Sequence, residues 1–129
     1  MPAKKSSPKS TCDLASRRCV PCEGDVPKLS LARARVLLRD IPGWRLRDGH
    51  LTRRVIFADF LALMKHVNGI ARIAEAEGHH PDFEVHYNRL DLEIWTHAID
   101  GLSENDFILA AKLSKLVDHA DEGPGAARS

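Results

Sequence analysis

Phe83-Glu-Val-His-Tyr-Asn-Arg-Leu-Asp-Leu-Glu-Ile-Trp-Thr-His97 decides the fold, because its apolar residues recur at every second position. Phe83, Val85 and Tyr87 share one side of an extended chain, with Glu84 and His86 on the other. Leu90, Leu92, Ile94 and Thr96 share a side again, opposite Asp91, Glu93, Trp95 and His97. Period two on both limbs predicts two half-buried strands, and Asn88-Arg89 reads as the turn between them.

Upstream, the same pattern returns. Trp44 to Arg47 and Leu51 to Phe57 read as strands around Asp48-Gly49, a pair that favours a tight hairpin turn. The period between the hairpins is helical. Asp59 can cap a helix along which Phe60, Leu63, Met64, Val67, Ile70, Ala71 and Ala74 recur, and Gly78 suits its C-terminal end. Ser30 can cap an earlier helix with Ala34, Leu37, Leu38 and Ile41 on one face, stopped by Pro42-Gly43. After the break at Gly101, Ser103 opens a last helix carrying Leu109, Ala110, Leu113, Leu116 and Val117. The order is α-β-β-α-β-β-α. Hairpins separated by helices predict an α+β fold, an antiparallel sheet with helices packed on one face.

Bulk composition narrows the function classes. A length of 129 residues suits one domain with its own core. The formal net charge of +1 gives no electrostatic case for direct nucleic-acid binding. No apolar run approaches the ~18 residues that span a bilayer, and no apolar segment follows the basic Lys4, Lys5 and Lys9 as in a secretory signal. Cys12, Cys19 and Cys22 make an odd count, which argues for free thiols in a reducing, cytoplasmic setting. Residues 1–28 read as a flexible N-terminal leader, 29–119 as the folded domain and 120–129 as a disordered tail.

The residues suited to chemistry cluster at element ends. Glu75-Ala-Glu-Gly-His79-His80-Pro81 lies where a helix gives way to a strand, His97 ends the following hairpin, and Asp106 follows nine residues later. A helix end and a strand end can meet at one rim of a sheet, where His79, His80 and His97 can converge. Imidazoles give and take protons near neutral pH, so one cleft can hold both an acid and a base. Ser103-x-x-Asp106 also matches a capping box, and Glu75 also reads as a solvated helix residue. His50, His66, His86 and His119 read as ordinary polar positions. Three histidines can bind zinc, but HExxH is missing, and Cys12, Cys19 and Cys22 lack a fourth ligand, so no metal is expected.

This combination resembles the pterin-4a-carbinolamine dehydratases. The likeness rests on Glu75 followed by His79-His80-Pro81, Tyr87-Asn88, Thr96-His97 and Gly101-Leu-Ser-Glu-Asn-Asp106, and it runs roughly over residues 29 to 118, with Trp44 and Asp59-Phe60 included. Cys19-Val-Pro-Cys22-Glu-Gly24 is similar to the leader of many bacterial members. The resemblance implies a four-stranded antiparallel sheet with helices on one face. It implies a hydro-lyase that turns a 4a-hydroxytetrahydropterin into a quinonoid dihydropterin and water, in tetrahydropterin recycling, with no cofactor. Carried over, His79, His80 and His97 are catalytic and Asp106 supporting, with Glu75 beside them; His79, His80, Pro81, Thr96, His97 and Ala98 contact the pterin. The resemblance further implies a homodimer or homotetramer. Trp95 departs from the family, in which small residues are common at that position. The competing reading is a non-catalytic binding module on the same fold, a transcriptional coactivator or a RuBisCO assembly factor with a protein partner.

Overall fold

The structure is a computed structural model, in which residues 14–19 and 27–121 are described. The elements are α1 (Leu31–Leu38), β1 (Arg45–Arg47), β2 (His50–Ile56), α2 (Phe60–Glu77), β3 (Asp82–His86), β4 (Arg89–Ile94), a 3-10 turn (His97–Ile99) and α3 (Glu104–Asp121). Local chemistry sets their ends. Ser30 Oγ accepts from the Arg33 N–H at 3.1 Å, and Asp59 Oδ1 from the Ala62 N–H at 2.8 Å. Gly78 ends α2 in the left-handed region at φ 66°, where a side chain would be strained. Asp48 and Gly49 both have positive φ, which makes the β1–β2 connection the tight turn whose twist suits a hairpin.

The four strands form one antiparallel sheet in the order β1-β2-β4-β3. Leu51 and Val55 of β2 and Leu90, Leu92 and Ile94 of β4 are buried on one face. Leu63, Val67, Ile70 and Ala74 of α2 and Phe107, Ala110, Leu113 and Val117 of α3 are buried with them. Each fully buried leucine or phenylalanine contributes about 1.5–3 kcal/mol, so this layer is the main stabilising term. The expected α+β architecture, with helices on one face of an antiparallel sheet, is what the chain adopts. Among the described residues no helix is long and apolar enough to cross a membrane.

Alternation also carries a cation inward. Arg53 lies between Leu51 and Val55, and its side chain is only 5 % exposed. Its guanidinium donates to Asp118 Oδ1 at 2.7 Å and to Ser114 Oγ at 3.3 Å, and Trp44 Nε1 donates to the same hydroxyl at 2.8 Å. This network fixes β2 and the start of β1 against α3. A Cβ on Gly43 would stand 2.9 Å from the Arg53 guanidinium carbon, so a side chain there would have to displace the paired guanidinium.

Two boundaries differ from the sequence reading. The β3–β4 turn is Tyr87-Asn88 and not Asn88-Arg89, because His86 pairs with Arg89 and Tyr87 takes the left-handed conformation at φ 54°. Asn88 is held there by its Nδ2 donating to the Phe57 carbonyl at 3.0 Å. His97 does not end a strand. β4 stops at Ile94, and Thr96 pairs with Gly101 across a short loop that contains the 3-10 turn.

Within the stretch read from sequence as a flexible leader, residues 14–19 are seated on the helices. Leu14 and Ala15 are buried in the core, and Lys112 Nζ donates to the Ala15 carbonyl at 2.6 Å. Glu77, at the end of α2, accepts from the Cys19 N–H at 2.9 Å and pairs with Arg18 and Lys112. Burial pushes the Glu77 carboxyl up, but the Cys19 N–H and the two cations outweigh it and hold it below its ordinary value. Cys12 and Cys22, the other members of the cysteine set, lie outside the described residues, as do 1–13, 20–26 and 122–129 and the side chain of His119.

Candidate active site

α2 ends so as to turn His79 inward. The His79 N–H bonds to the Ala74 carbonyl at 3.2 Å, across the left-handed Gly78, in the manner of a Schellman closure. His80 precedes Pro81, which disfavours helical backbone at His80. Adjacent side chains on extended backbone point apart. Accordingly His79 is 6 % exposed, while the His80 side chain is 59 % exposed. The difference separates a held imidazole from an accessible one.

Asp106, in the first turn of α3, is fully buried. Its Oδ1 lies 2.5 Å from His79 Nε2. Its Oδ2 accepts from Thr96 Oγ1 and from the Ser103 N–H, both at 2.8 Å. A carboxylate only accepts, so these contacts assign the His79 proton to Nε2 and the Thr96 proton to Asp106. Ser103 Oγ then donates to Thr96 Oγ1 at 3.0 Å. The same carboxylate therefore accepts both from the Ser103 N–H that opens the helix and from the His79 ring. Charge-assisted bonds of this kind are roughly twice as strong as neutral ones.

The Asp106 network joins the end of α2 to the loop after β4. The Thr96 N–H bonds to the Gly101 carbonyl at 2.8 Å, and the Gly101 N–H returns to Thr96 at 3.3 Å. Thr96 is thus spent on holding its loop, both by backbone and by side chain, with 1 % exposure. His97 and Ala98 project from that loop as exposed residues, and Pro81 is half-buried. His97 Nε2 lies 3.9 Å from Asp82 Oδ2, two residues beyond His80. The antiparallel register sets Asp82 against Glu93, so the start of β3 and the end of β4 share one rim. His80 and His97 lie near that rim, and His79 is tied to the loop of His97 through Asp106 and Thr96. Glu75, exposed on the last turn of α2, places Oε1 3.1 Å from His80 Nε2.

His50, read from the sequence as an ordinary polar position, has contacts that the sequence did not suggest. Leu51 pairs with Ile94, which sets His50 beside Trp95 on the polar face of the sheet. The His50 and Trp95 rings stack at 4.2 Å, and Trp95 stacks on His97 at 3.9 Å. His50 Nδ1 also lies 2.5 Å from Glu93 Oε2.

The polar face holds a trough of about 710 Å³ lined by Arg45, Arg47, Thr52, Arg54, Glu84 and Asp82. It reaches the histidine rim at Asp82 and Glu93. On the same face, Glu84, His86 and Asp91 bring ligand-type atoms within 4.8 Å of one another, and the rim histidines are not among them. Asp91 is held by Arg54 at 2.7 Å and Arg89 at 3.4 Å. The Arg54 hydrogen bond pulls the Asp91 carboxyl below its ordinary value against the opposing effect of burial. Those contacts make this cluster an ion-pair network.

Comparison with known proteins gives the same architecture a family. The model of the pterin 4 alpha carbinolamine dehydratase family matches residues 27–116. A protein of Dechloromonas aromatica (strain RCB) is 45 % identical over 109 residues, covering 84 % of this chain and 97 % of the relative. One of Nitrosomonas eutropha (strain DSM 101675 / C91 / Nm57) is 48 % identical, covering 82 % of this chain and 95 % of its own. Both carry the provisional name pterin-4-alpha-carbinolamine dehydratase. A crystal structure from Brucella melitensis, described as a transcriptional coactivator/pterin dehydratase, matches with a TM-score of 0.68 at 30 % identity, over 70 % of this chain and 99 % of that one. The chain belongs to the pterin-4a-carbinolamine dehydratase family, a family of hydro-lyases.

Proposed function

We propose that the protein dehydrates 4a-hydroxytetrahydropterins by histidine acid–base catalysis. The observation that carries this reading is the buried Asp106, which ties His79 to the Thr96 loop and leaves His80 and His97 exposed at one rim. Hydroxide leaves poorly, so an acid must protonate the 4a-oxygen. A base must take the ring-nitrogen proton as the C=N bond forms. The pair of electrons from that N–H becomes the new π bond, the C–O bond breaks, and water departs. His80 and His97 supply the acid and the base, each worth roughly 10²–10⁴-fold. His79 orients the pterin or its hydroxyl. His79 to Pro81 and His97-Ala98 form the contacting surface, with Thr96 acting beneath it.

The reaction moves protons and no electrons or hydride, so it requires no redox cofactor. The role proposed for the enzyme is cytoplasmic tetrahydropterin recycling. The open edges β1 and β3, and the exposed Phe60, Leu61, Phe83 and Tyr87, support a homodimer or homotetramer. Light scattering at micromolar concentration should give at least a dimer, and a monomer there overturns this part of the reading. The activity is tested by stopped-flow decay of freshly formed 4a-hydroxytetrahydropterin. Acceleration over the spontaneous rate is expected; the spontaneous rate alone would leave a non-catalytic binding module as the function.

A further inference from the structure

Trp95 has an imidazole on each side. Its ring lies 4.2 Å from that of His50, tilted by 12°, and 3.9 Å from that of His97, tilted by 21°. The outer imidazoles both face carboxylates. His50 Nδ1 is 2.5 Å from Glu93 Oε2, and His97 Nε2 is 3.9 Å from Asp82 Oδ2. Trp95 is also partly buried against the core, so it does not move as a surface ring would.

His97 needs such a support. Its side chain is 63 % exposed and sits on a short turn outside the sheet. An exposed imidazole exchanges rotamers on the picosecond to nanosecond scale. A stacked aromatic partner biases those rotamers by roughly two- to tenfold. We infer that Trp95 is a positioning residue, which holds the His97 imidazole in its proton-transfer geometry and is itself held from behind by His50 and Glu93. Because imidazoles cover both of its faces, Trp95 orders the site without stacking on the pterin. The inference rests on the catalytic reading of His97.

The test pairs kinetics with NMR of the histidine rings. Trp95→Leu should lower kcat about three- to tenfold, within the rotamer bias that the stack supplies, with KM within about threefold. The His97 ring protons should lose the upfield shift that an indole face imposes. Trp95→Phe keeps a flat ring and should recover at least about a third of the wild-type kcat. In a His97→Ala background, Trp95→Leu should add almost nothing, since both changes remove one interaction. If Trp95→Leu fails to fold, His50→Ala removes only the rear ring and should show a loss of about threefold with a shifted His97 signal. A wild-type kcat in Trp95→Leu beside a crippled His97→Ala overturns the inference alone, as do losses that multiply in the double variant. A wild-type rate in His97→Ala overturns the catalytic reading, and the inference with it.

Discussion

Asp106 Oδ1 and His79 Nε2 stand 2.5 Å apart across 27 residues of sequence, and both side chains are buried. The contact joins the end of α2 to the start of α3. Through Thr96 it also reaches the loop that carries His97. One carboxylate thus sets the relative positions of the two segments on which the histidines lie.

Asp106→Asn should therefore damage stability and rate together. An amide presents only one oxygen to three donors, so at least one buried donor loses its partner. Breaking a buried pair in this way costs about 3 kcal/mol. Urea unfolding should show that loss, and kcat should fall at least about tenfold as His79 loses its anchor. Native stability in this variant would contradict the assignment of Asp106 as the organising carboxylate.

Acid should release the segment around Leu14 first. The Glu77 carboxyl is held below its ordinary value in the folded chain, so its contribution is complete above the ordinary carboxylate range. That contribution is lost as pH falls through the depressed folded value. Glu77→Gln should thus lower stability at neutral pH and flatten the acid slope from the ordinary carboxylate range downward. Denaturant melts of both proteins across that window provide the check. An equal acid slope in the variant would show that Glu77 does not hold the segment by charge.

Chelation should leave dehydration unchanged. The reaction needs only proton transfers, and His79 Nε2 and His80 Nε2 already face Asp106 and Glu75. Activity measured after exhaustive dialysis against a chelator should match the starting rate. Loss of activity that zinc restores would point to a metal-activated water in place of an imidazole acid.

Much of the fold was legible because local chemistry and global packing agree. Asp59, Gly78 and Asp48-Gly49 each fill a position that few residue types suit, and period two in β4 gave the buried face. The site was legible as a set of segments but not as contacts. His50 meets Trp95 only through strand register, and Arg53 meets Asp118 across 65 residues, so neither pairing has a local signal. The turn was misplaced by one residue because Tyr87, rather than a glycine or asparagine, takes the left-handed position. The seat of Leu14 and Ala15 was invisible for another reason: two apolar residues in a polar stretch make no period.

The most direct test of the account is single-turnover decay of 4a-hydroxytetrahydropterin with His79→Ala, His80→Ala and His97→Ala, each verified as folded by circular dichroism. Losing the exposed His80 or His97 should lower the catalysed rate about 10²-fold or more, the usual worth of a general acid or base. His79→Ala should weaken pterin binding at least as much as it slows the chemical step, since that ring is buried on Asp106. Near wild-type decay in all three folded variants, well above the spontaneous rate, would contradict the histidine mechanism.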